Sequence, residues 1–244
     1  MRVTRIHVPG PLAPGAEITL PAQAGEHLVR VLRLETGARF VLFDGTGGEY
    51  TASLAATGKQ ARASVLEHVP VERESPLDIT LLQGIARGER MDLIVQKATE
   101  LGVARIVPVV AERSVVKIDA KQRERKRAHW QSIVVSACEQ CGRNRIPPVA
   151  DPVSLGDAIA ALASGSTRCL LAADATDSLV SIASRPPAPM VLLIGPEGGL
   201  ADHEEKHALA NGFVACRLGS RVMRTETASL AALAALQTVA GDFK

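Results

Sequence analysis

The hydrophobic positions of the first 70 residues mostly follow the short period of β-strands. Five segments alternate apolar and polar residues or are rich in β-formers: 2–8, 16–20, 38–44, 49–54 and 60–69. The third and fourth flank the glycine-rich turn 45–48, which predicts a hairpin. Leu28, Val31 and Leu32 recur at helical spacing and predict a helix over 26–34. We therefore expect a small β-rich module.

The pattern changes beyond residue 77 to strands that alternate with helices. Strands are predicted over 78–85, 105–110, 168–172, 190–194 and 214–218. Helices are predicted over 89–101, 122–141, 202–210 and 227–239, and Ser154 followed by Asp157 resembles a capping box that opens another. This alternation predicts a mostly parallel α/β sheet covered on both faces. The polar, proline-bracketed segment 70–76 separates the two patterns, so we predict domains 1–72 and 73–244.

The composition indicates a globular protein that does not enter a membrane. At 244 residues and 46% hydrophobic content the chain can bury a core. It shows neither an apolar stretch of signal-peptide length near residue 1 nor a run that could span a bilayer. We expect a cytoplasmic location.

The cysteines do not indicate a metal site. Cys138 and Cys141 form one C-x-x-C pair, but no second pair or nearby histidine set completes a zinc site. Cys169 and Cys216 lie in apolar runs, where a reduced cysteine packs as a small hydrophobe. We expect no metal and two structural thiols on one helix face.

The net charge of +2 is too small to indicate a nucleic-acid partner, but its distribution is uneven. Basic residues are concentrated over 113–127 and in the first forty residues, which contain Arg2, Arg5, Arg30, Arg33 and Arg39. The run 121–127 can be a solvated helix face with ion pairs or a contact for RNA phosphates, and the pattern favours the first. One Trp, one Tyr and four Phe are too few for base-stacking platforms.

Two loops near the C-terminus, 194–199 and 218–228, each follow a predicted strand and precede a predicted helix. Loops at the carboxyl ends of parallel strands bind ligands in open α/β sheets. The chain contains neither the G-x-x-x-x-G-K-[ST] nor the G-x-G-x-x-G phosphate motif, and the carboxylate of Glu197 should repel phosphate. A ligand with a cationic centre and no phosphate, such as S-adenosylmethionine, fits these loops better than ATP or NAD.

Five groups of residues together resemble the SPOUT-type 16S ribosomal RNA (uracil-N3)-methyltransferases, the RsmE family. They are 88–92 with 96–103, 112–114, 138–147, 194–199 and 224–228, and the resemblance extends to His27 and Leu28 and to 31–33 in the first module. It covers nearly the whole chain. Met223 stands where we would expect Ile or Leu, which conserves bulk.

The resemblance implies a PUA-like β-barrel for RNA, followed by a SPOUT-type parallel sheet with a deep trefoil knot, in a homodimer. It implies that S-adenosylmethionine is bound by Leu171, Ala172, Ile194, Gly195, Pro196, Glu197, Gly198, Gly199, Leu218, Gly219, Met223 and Thr225. It also implies RNA contacts in the first module, for which we select Arg2, Arg5, His27, Arg30 and Arg33.

The implied reaction transfers a methyl group to N3 of a uridine in 16S rRNA of the small ribosomal subunit. Glu226 is the first candidate for the base that removes the N3 proton, ahead of Glu100 and Glu139, although it can equally complement the dipole of a helix start. Arg143, Arg145 and Arg224 are candidates to stabilise the uracil anion. Two alternatives remain: a non-catalytic RNA-binding ribosome-assembly factor and a methyltransferase of small molecules.

Overall fold

The computed structural model describes residues 3–57, 60–114, 119–183 and 189–243. The chain divides into two compact units. The first comprises Met1–Glu74 together with Cys138–Ile146, and the second comprises Ser75–Ala137 and Pro147–Lys244. The short segment Cys138–Ile146 is therefore separated in sequence from the rest of its unit.

The first unit is built on a five-stranded mixed sheet. Its strands are β1 (Arg5–His7), β2 (Glu17–Thr19), β3 (Arg39–Phe43), β4 (Glu49–Ala56) and β5 (Arg62–Val69), in the spatial order β1-β3-β4-β5-β2. β1 pairs with β3 in parallel, and the other neighbours are antiparallel. The predicted hairpin is confirmed as β3 and β4, with Arg39 opposite Ser53.

The helix predicted over 26–34 is different in the structure. A short helix α1 (Ala22–Glu26) passes into a π-helical turn (His27–Val31), and Arg33 has a left-handed backbone with φ of 53°. The reason is that only Leu28 is buried in the core of the unit, whereas Val31 is 64% exposed. A regular helix needs one continuous apolar stripe, and this segment does not provide one.

The second unit contains a seven-stranded sheet that is parallel throughout. The strands are β6 (Ile79–Gly84), β7 (Arg105–Val110), β8 (Val153–Ser154), β9 (Thr167–Leu171), β10 (Asp177–Ser178), β11 (Met190–Ile194) and β12 (Phe213–Arg217), in the order β10-β12-β9-β11-β6-β7-β8. All five residues of β11 are buried, as expected for a central strand covered on both faces. The predicted parallel sheet is confirmed.

Six helices accompany this sheet in the described residues. They are α2 (Glu89–Glu100), α3 (Ala120–Cys141), α4 (Leu155–Ala160), α5 (Leu179–Ala183), α6 (Asp202–Ala210) and α7 (Thr225–Ala240). The predicted cap of α4 is confirmed, because the Ser154 hydroxyl accepts a hydrogen bond of 3.1 Å from the backbone N–H of Asp157. None of the helices described combines the length and the apolar character that a bilayer span requires.

Candidate active site

A cavity of about 660 Å³ lies where β9, β11 and β12 end, and its volume suits a small-molecule ligand. Three loops of the second unit form it. Every residue predicted for the cofactor lines it: Leu171, Ala172, Ile194, Gly195, Pro196, Glu197, Gly198, Gly199, Leu218, Gly219, Met223 and Thr225. The structure thus brings together segments that are far apart in sequence at the sheet edge where parallel sheets bind ligands.

Two glycines allow the loop after β11 to pass close to its neighbours. A Cβ at Gly84, the last residue of β6, would lie 2.4 Å from the backbone nitrogen of Pro196. A Cβ at Gly198 would lie 3.0 Å from both the Cβ and the carbonyl oxygen of Arg113. A side chain at Gly84 would therefore force the backbone to shift, and one at Gly198 would press against Arg113.

A buried polar network holds the first turn of α7 against this loop. The Thr225 hydroxyl donates to the Gly195 carbonyl at 2.7 Å and accepts from Gln83 Nε2 at 3.0 Å. Ser229 Oγ donates to Gln83 Oε1 at 2.6 Å. Gln83 and Ser229 have no exposed surface, so the network is shielded from water. Fully satisfied networks of this kind fix a unique geometry.

Glu197 is held by donors on its neighbours. Its Oε1 accepts from the backbone N–H of Arg87 at 2.9 Å and from Arg90 Nη1 at 3.0 Å. Burial raises the pKa of Glu197, but the hydrogen bonds and the charge of Arg90 outweigh it, and the net pKa lies below its usual value. The repulsion of anions expected from Glu197 is thus offset by Arg90, which also lines the cavity.

The cavity also carries two further carboxylates, Asp174 and Glu205. The pKa of Glu205 is raised by burial and then by the negative charges of Asp174 and Asp202, against a smaller opposing effect of Arg113. A cationic ligand group would relieve this repulsion. Since Arg90, Arg221 and Arg224 line the same cavity, it offers charges of both signs, as a zwitterionic ligand requires.

Arg224 and Glu226 lie at the start of α7, beside the cavity. Arg224 lines it and is the N-cap residue of the helix. Glu226 Oε1 lies 3.8 Å from Arg90 Nε, and its Oε2 is buried and has no hydrogen-bond partner among the residues described. Glu226 is also the acidic residue of the first turn, so catalysis and dipole complementation both remain open.

The other catalytic candidates do not line the cavity. Arg143 and Arg145 belong to the first unit, where Arg143 is 6% exposed and donates to Glu74, and Arg145 lies 3.4 Å from Glu72. Their described contacts are structural, and a catalytic role for either stays a prediction.

The two lesser base candidates are also engaged elsewhere. Lys97 Nζ pairs with Glu100 at 2.8 Å. Glu139 accepts from the backbone N–H of His7 at 2.9 Å, and burial raises its pKa. Of the candidate bases, Glu226 alone adjoins residues of the cavity wall, Thr225 and Arg224.

The residues predicted to contact RNA differ in their surroundings. Arg2 lies outside the described residues. The Arg5 side chain is 10% exposed, pairs with Glu49 and lies 5.0 Å from the centre of the Phe43 ring, so its charge is already compensated. The remaining three, His27, Arg30 and Arg33, are exposed together on and beside the π-helical turn.

The C-x-x-C pair has no companion ligands in the structure. Across 3–57, 60–114, 119–183 and 189–243 no group of three or more His, Cys, Asp or Glu residues could hold a metal ion. Burial raises the pKa of Cys138 to about 12, and its thiol donates to the Arg145 carbonyl at 3.7 Å. A thiol in this environment stays protonated and unreactive.

Several cavity or network residues were not predicted as site residues: Gln83, Arg90, Asp174 and Glu205. Arg90 lies inside the motif 88–92, so a signal existed for it. The others show no local pattern, because only the folded chain brings them to the loops.

Comparison with known proteins identifies the family. The family model described as "RNA methyltransferase domain" matches residues 73–237, and that described as "RNA methyltransferase PUA domain" matches residues 20–66. A relative named ribosomal RNA small subunit methyltransferase E from Synechocystis is 36% identical over 92% of this chain and 74% of its own length. A relative of the same name from Bacillus subtilis is 34% identical over 92% of this chain and 90% of its own length.

Two solved structures cover 100% of both chains at 41% identity. The ribosomal RNA small subunit methyltransferase E from Neisseria gonorrhoeae, bound to S-adenosyl methionine, superposes with a TM-score of 0.92. A Legionella pneumophila protein in complex with the bound cofactor SAM superposes with a TM-score of 0.93. The predicted order of a PUA-like module before a parallel α/β sheet is confirmed. The chain belongs to the ribosomal RNA small subunit methyltransferase E family.

Proposed function

We propose that this chain methylates ribosomal RNA of the small subunit with S-adenosylmethionine as its methyl donor. The observation that carries the proposal is the cavity at the ends of β9, β11 and β12, with charges of both signs on its wall. S-adenosylmethionine carries an ammonium, a carboxylate and a sulfonium, which match such a wall. The Neisseria gonorrhoeae and Legionella pneumophila proteins, which share the whole fold, were solved with this molecule.

The specific reaction we propose is methylation at N3 of a uridine in 16S rRNA. The motifs at 88–103, 138–147 and 224–228 support it, because together they resemble enzymes of that specificity. The same resemblance supports a homodimer in the cytoplasm and a trefoil knot formed by the loops of the second unit.

When bound, the cofactor supplies an electrophilic methyl group on sulfur. The transfer forms a nitrogen–carbon bond at N3, breaks the sulfur–carbon bond, and releases S-adenosylhomocysteine together with the N3 proton. The residues of the chain have to align the reactants and accept that proton. We assign stabilisation of the uracil anion to Arg224, which lines the cavity, and acceptance of the proton to Glu226, whose Oε1 lies 3.8 Å from Arg90 Nε.

We assign RNA contact in the first unit to the turn that carries His27, Arg30 and Arg33. All three side chains are exposed, and the only ion pair described for them is that of Arg30 with Glu26, at 2.8 Å. Exposed pairs of this kind are weak and exchange readily for phosphate. The left-handed backbone of Arg33 fits a functional turn, since strained backbone persists where the surrounding structure or a function requires it.

Mass spectrometry of 16S rRNA tests the proposed function. RNA from a strain that lacks this chain should miss one methylated uridine, and the purified protein with S-adenosylmethionine should restore it. A calorimetric titration with the cofactor separates the alternative of a non-catalytic assembly factor, which keeps the fold without turnover. Absence of cofactor binding, together with no methylation of either rRNA or assembled subunits, would favour that alternative.

A further inference from the structure

The N-terminal end of α3, residues 121–125, is exposed at five consecutive positions. An α-helix completes a turn in 3.6 residues, so five consecutive exposed positions leave every face of the helix open. We call these residues the α3 arm. The helix returns to the body of its unit only at Trp130, which is 2% exposed.

The helix of the α3 arm has a complete N-terminal cap. Asp119 and Gln122 cap it reciprocally: Asp119 Oδ1 accepts from the backbone N–H of Gln122 at 2.8 Å, and Gln122 Oε1 accepts from that of Asp119 at 3.3 Å. This is the geometry of a capping box. The arm thus keeps a defined shape without packing against the sheet.

The charges of the α3 arm oppose its local stability. Lys121, Arg123 and Arg125 lie near a helix N-terminus, where the helix dipole disfavours positive charge. No ion pair joins these three side chains to any acidic residue in the described part of the chain. By contrast, the next two cations are engaged, because Lys126 lies 5.6 Å from the centre of the Trp130 ring and Arg127 pairs with Asp151 at 2.9 Å.

We propose that the α3 arm is a second RNA-binding surface, which holds the phosphate backbone of the substrate RNA through Lys121, Arg123 and Arg125. This inference rests on the proposed function for the identity of the RNA. The sequence pattern alone favours a solvated face with ion pairs. In the part of the chain that the structure describes, the three cations of the arm form no ion pair, and the arm is exposed on a base anchored by Trp130. Phosphates suit such an arm, since its three cations outnumber its one carboxylate, Glu124, and phosphate contacts need no aromatic side chains.

The salt dependence of RNA binding tests the proposal. We compare Arg123→Gln/Arg125→Gln with a control that loses the same charge from the same unit, Arg105→Gln/Lys206→Gln, whose side chains are exposed at other places. Glutamine keeps the helix propensity. On a small-subunit rRNA fragment, the arm variant should flatten the slope of log Kobs against log salt by about 1.4 to 1.8 units relative to the control. Its S-adenosylmethionine affinity and its turnover at saturating RNA should match wild type.

Equal slopes for the arm variant and the control would overturn the proposal. So would a change in oligomeric state of the arm variant alone in sedimentation, because the arm would then be covered by a second copy. If the wild-type protein transfers no methyl group to rRNA, the proposed function fails instead. The slope comparison still decides whether the arm binds RNA, since it does not depend on turnover.

Discussion

The hydroxyl of Thr225 donates a hydrogen bond of 2.7 Å to the carbonyl oxygen of Gly195. One residue opens α7 and the other belongs to the loop after β11, and both line the cavity. This contact therefore helps to hold the shape of the proposed cofactor site, and Gln83 adds a second hydrogen bond to the same hydroxyl from β6.

Thr225→Val should disturb both stability and cofactor binding. The variant keeps the volume but removes the hydroxyl that serves the Gly195 carbonyl and Gln83, and buried polar groups left without partners cost about 1 to 3 kcal/mol. We expect a lower denaturation midpoint and weaker S-adenosylmethionine binding by calorimetry. Thr227→Val, an exposed change on the same helix, is the control. Equal effects of the two variants would contradict the importance of the network.

Removal of the Arg90 guanidinium should make cofactor binding more sensitive to acid. The pKa of Glu197 is lowered in the folded protein, so its ionised carboxylate stabilises the folded cofactor loop at pH values above the normal Glu range. This stabilisation is lost as pH falls through the lowered pKa. In Arg90→Gln the pKa of Glu197 returns towards normal, so the loss should begin at higher pH. Titrations of S-adenosylmethionine between pH 4 and 7 measure this shift. Arg87 offers Glu197 its backbone N–H, so Arg87→Gln should behave as wild type.

Arg224→Ala and Glu226→Gln should each lower the rate of methyl transfer more than the affinity for the cofactor. Loss of a group that stabilises a developing anion, as we propose for Arg224, typically costs about a hundredfold to a thousandfold in turnover. Loss of a general base, as we propose for Glu226, typically costs about a hundredfold to ten-thousandfold. We expect such a loss of single-turnover rate at saturating RNA, with S-adenosylmethionine affinity changed by less than about tenfold. If Glu226 only complements the dipole of α7, Glu226→Gln should show a lower melting temperature and a nearly normal rate.

Gly198→Val should abolish cofactor binding, because the new side chain would collide with Arg113. A Cβ there would lie 3.0 Å from the Arg113 carbonyl, and the two further methyl groups of valine add to this crowding, so either the loop or Arg113 has to shift. Gly199→Ala is an informative companion, since a Cβ at Gly199 meets nothing within 4 Å and strains only a backbone with φ of 69°. Calorimetry with S-adenosylmethionine should show a larger loss for Gly198→Val. The opposite order would mean that the steric contact is unimportant.

Alkylation should distinguish the thiols of the C-x-x-C pair. Cys138, Cys169 and Cys216 are buried, whereas Cys141 is partly exposed. The pKa of Cys138, raised to about 12, leaves almost no thiolate at pH 8. Under native conditions iodoacetamide should modify Cys141 first, as peptide mass spectrometry can establish. Stoichiometric zinc in the purified protein, lost in Cys138→Ser, would contradict a structural role.

The sequence was sufficient where a periodic pattern repeats over many residues. Two β-prone runs on either side of a glycine-rich turn located β3 and β4, and the run Met190–Ile194 predicted a buried strand. The glycine loops fell at the correct edge because parallel strands present their carboxyl ends together. Contacts between residues far apart in sequence could not be predicted. Arg90 pairs with Glu197 across more than a hundred residues, and nothing in the sequence around Arg5 indicates that it is buried beside Glu49.

Residues 138–146 complete the first unit, although more than sixty residues of the second unit separate them in sequence from its other part. Asn144, which has no exposed surface, donates to the Val71 carbonyl at 2.7 Å, and Glu74 accepts from Arg143. A gene fragment that ends at residue 74 therefore encodes an incomplete module with orphaned polar groups. No single continuous segment therefore carries the whole module, which is complete only when residues 1–74 and 138–146 are both present.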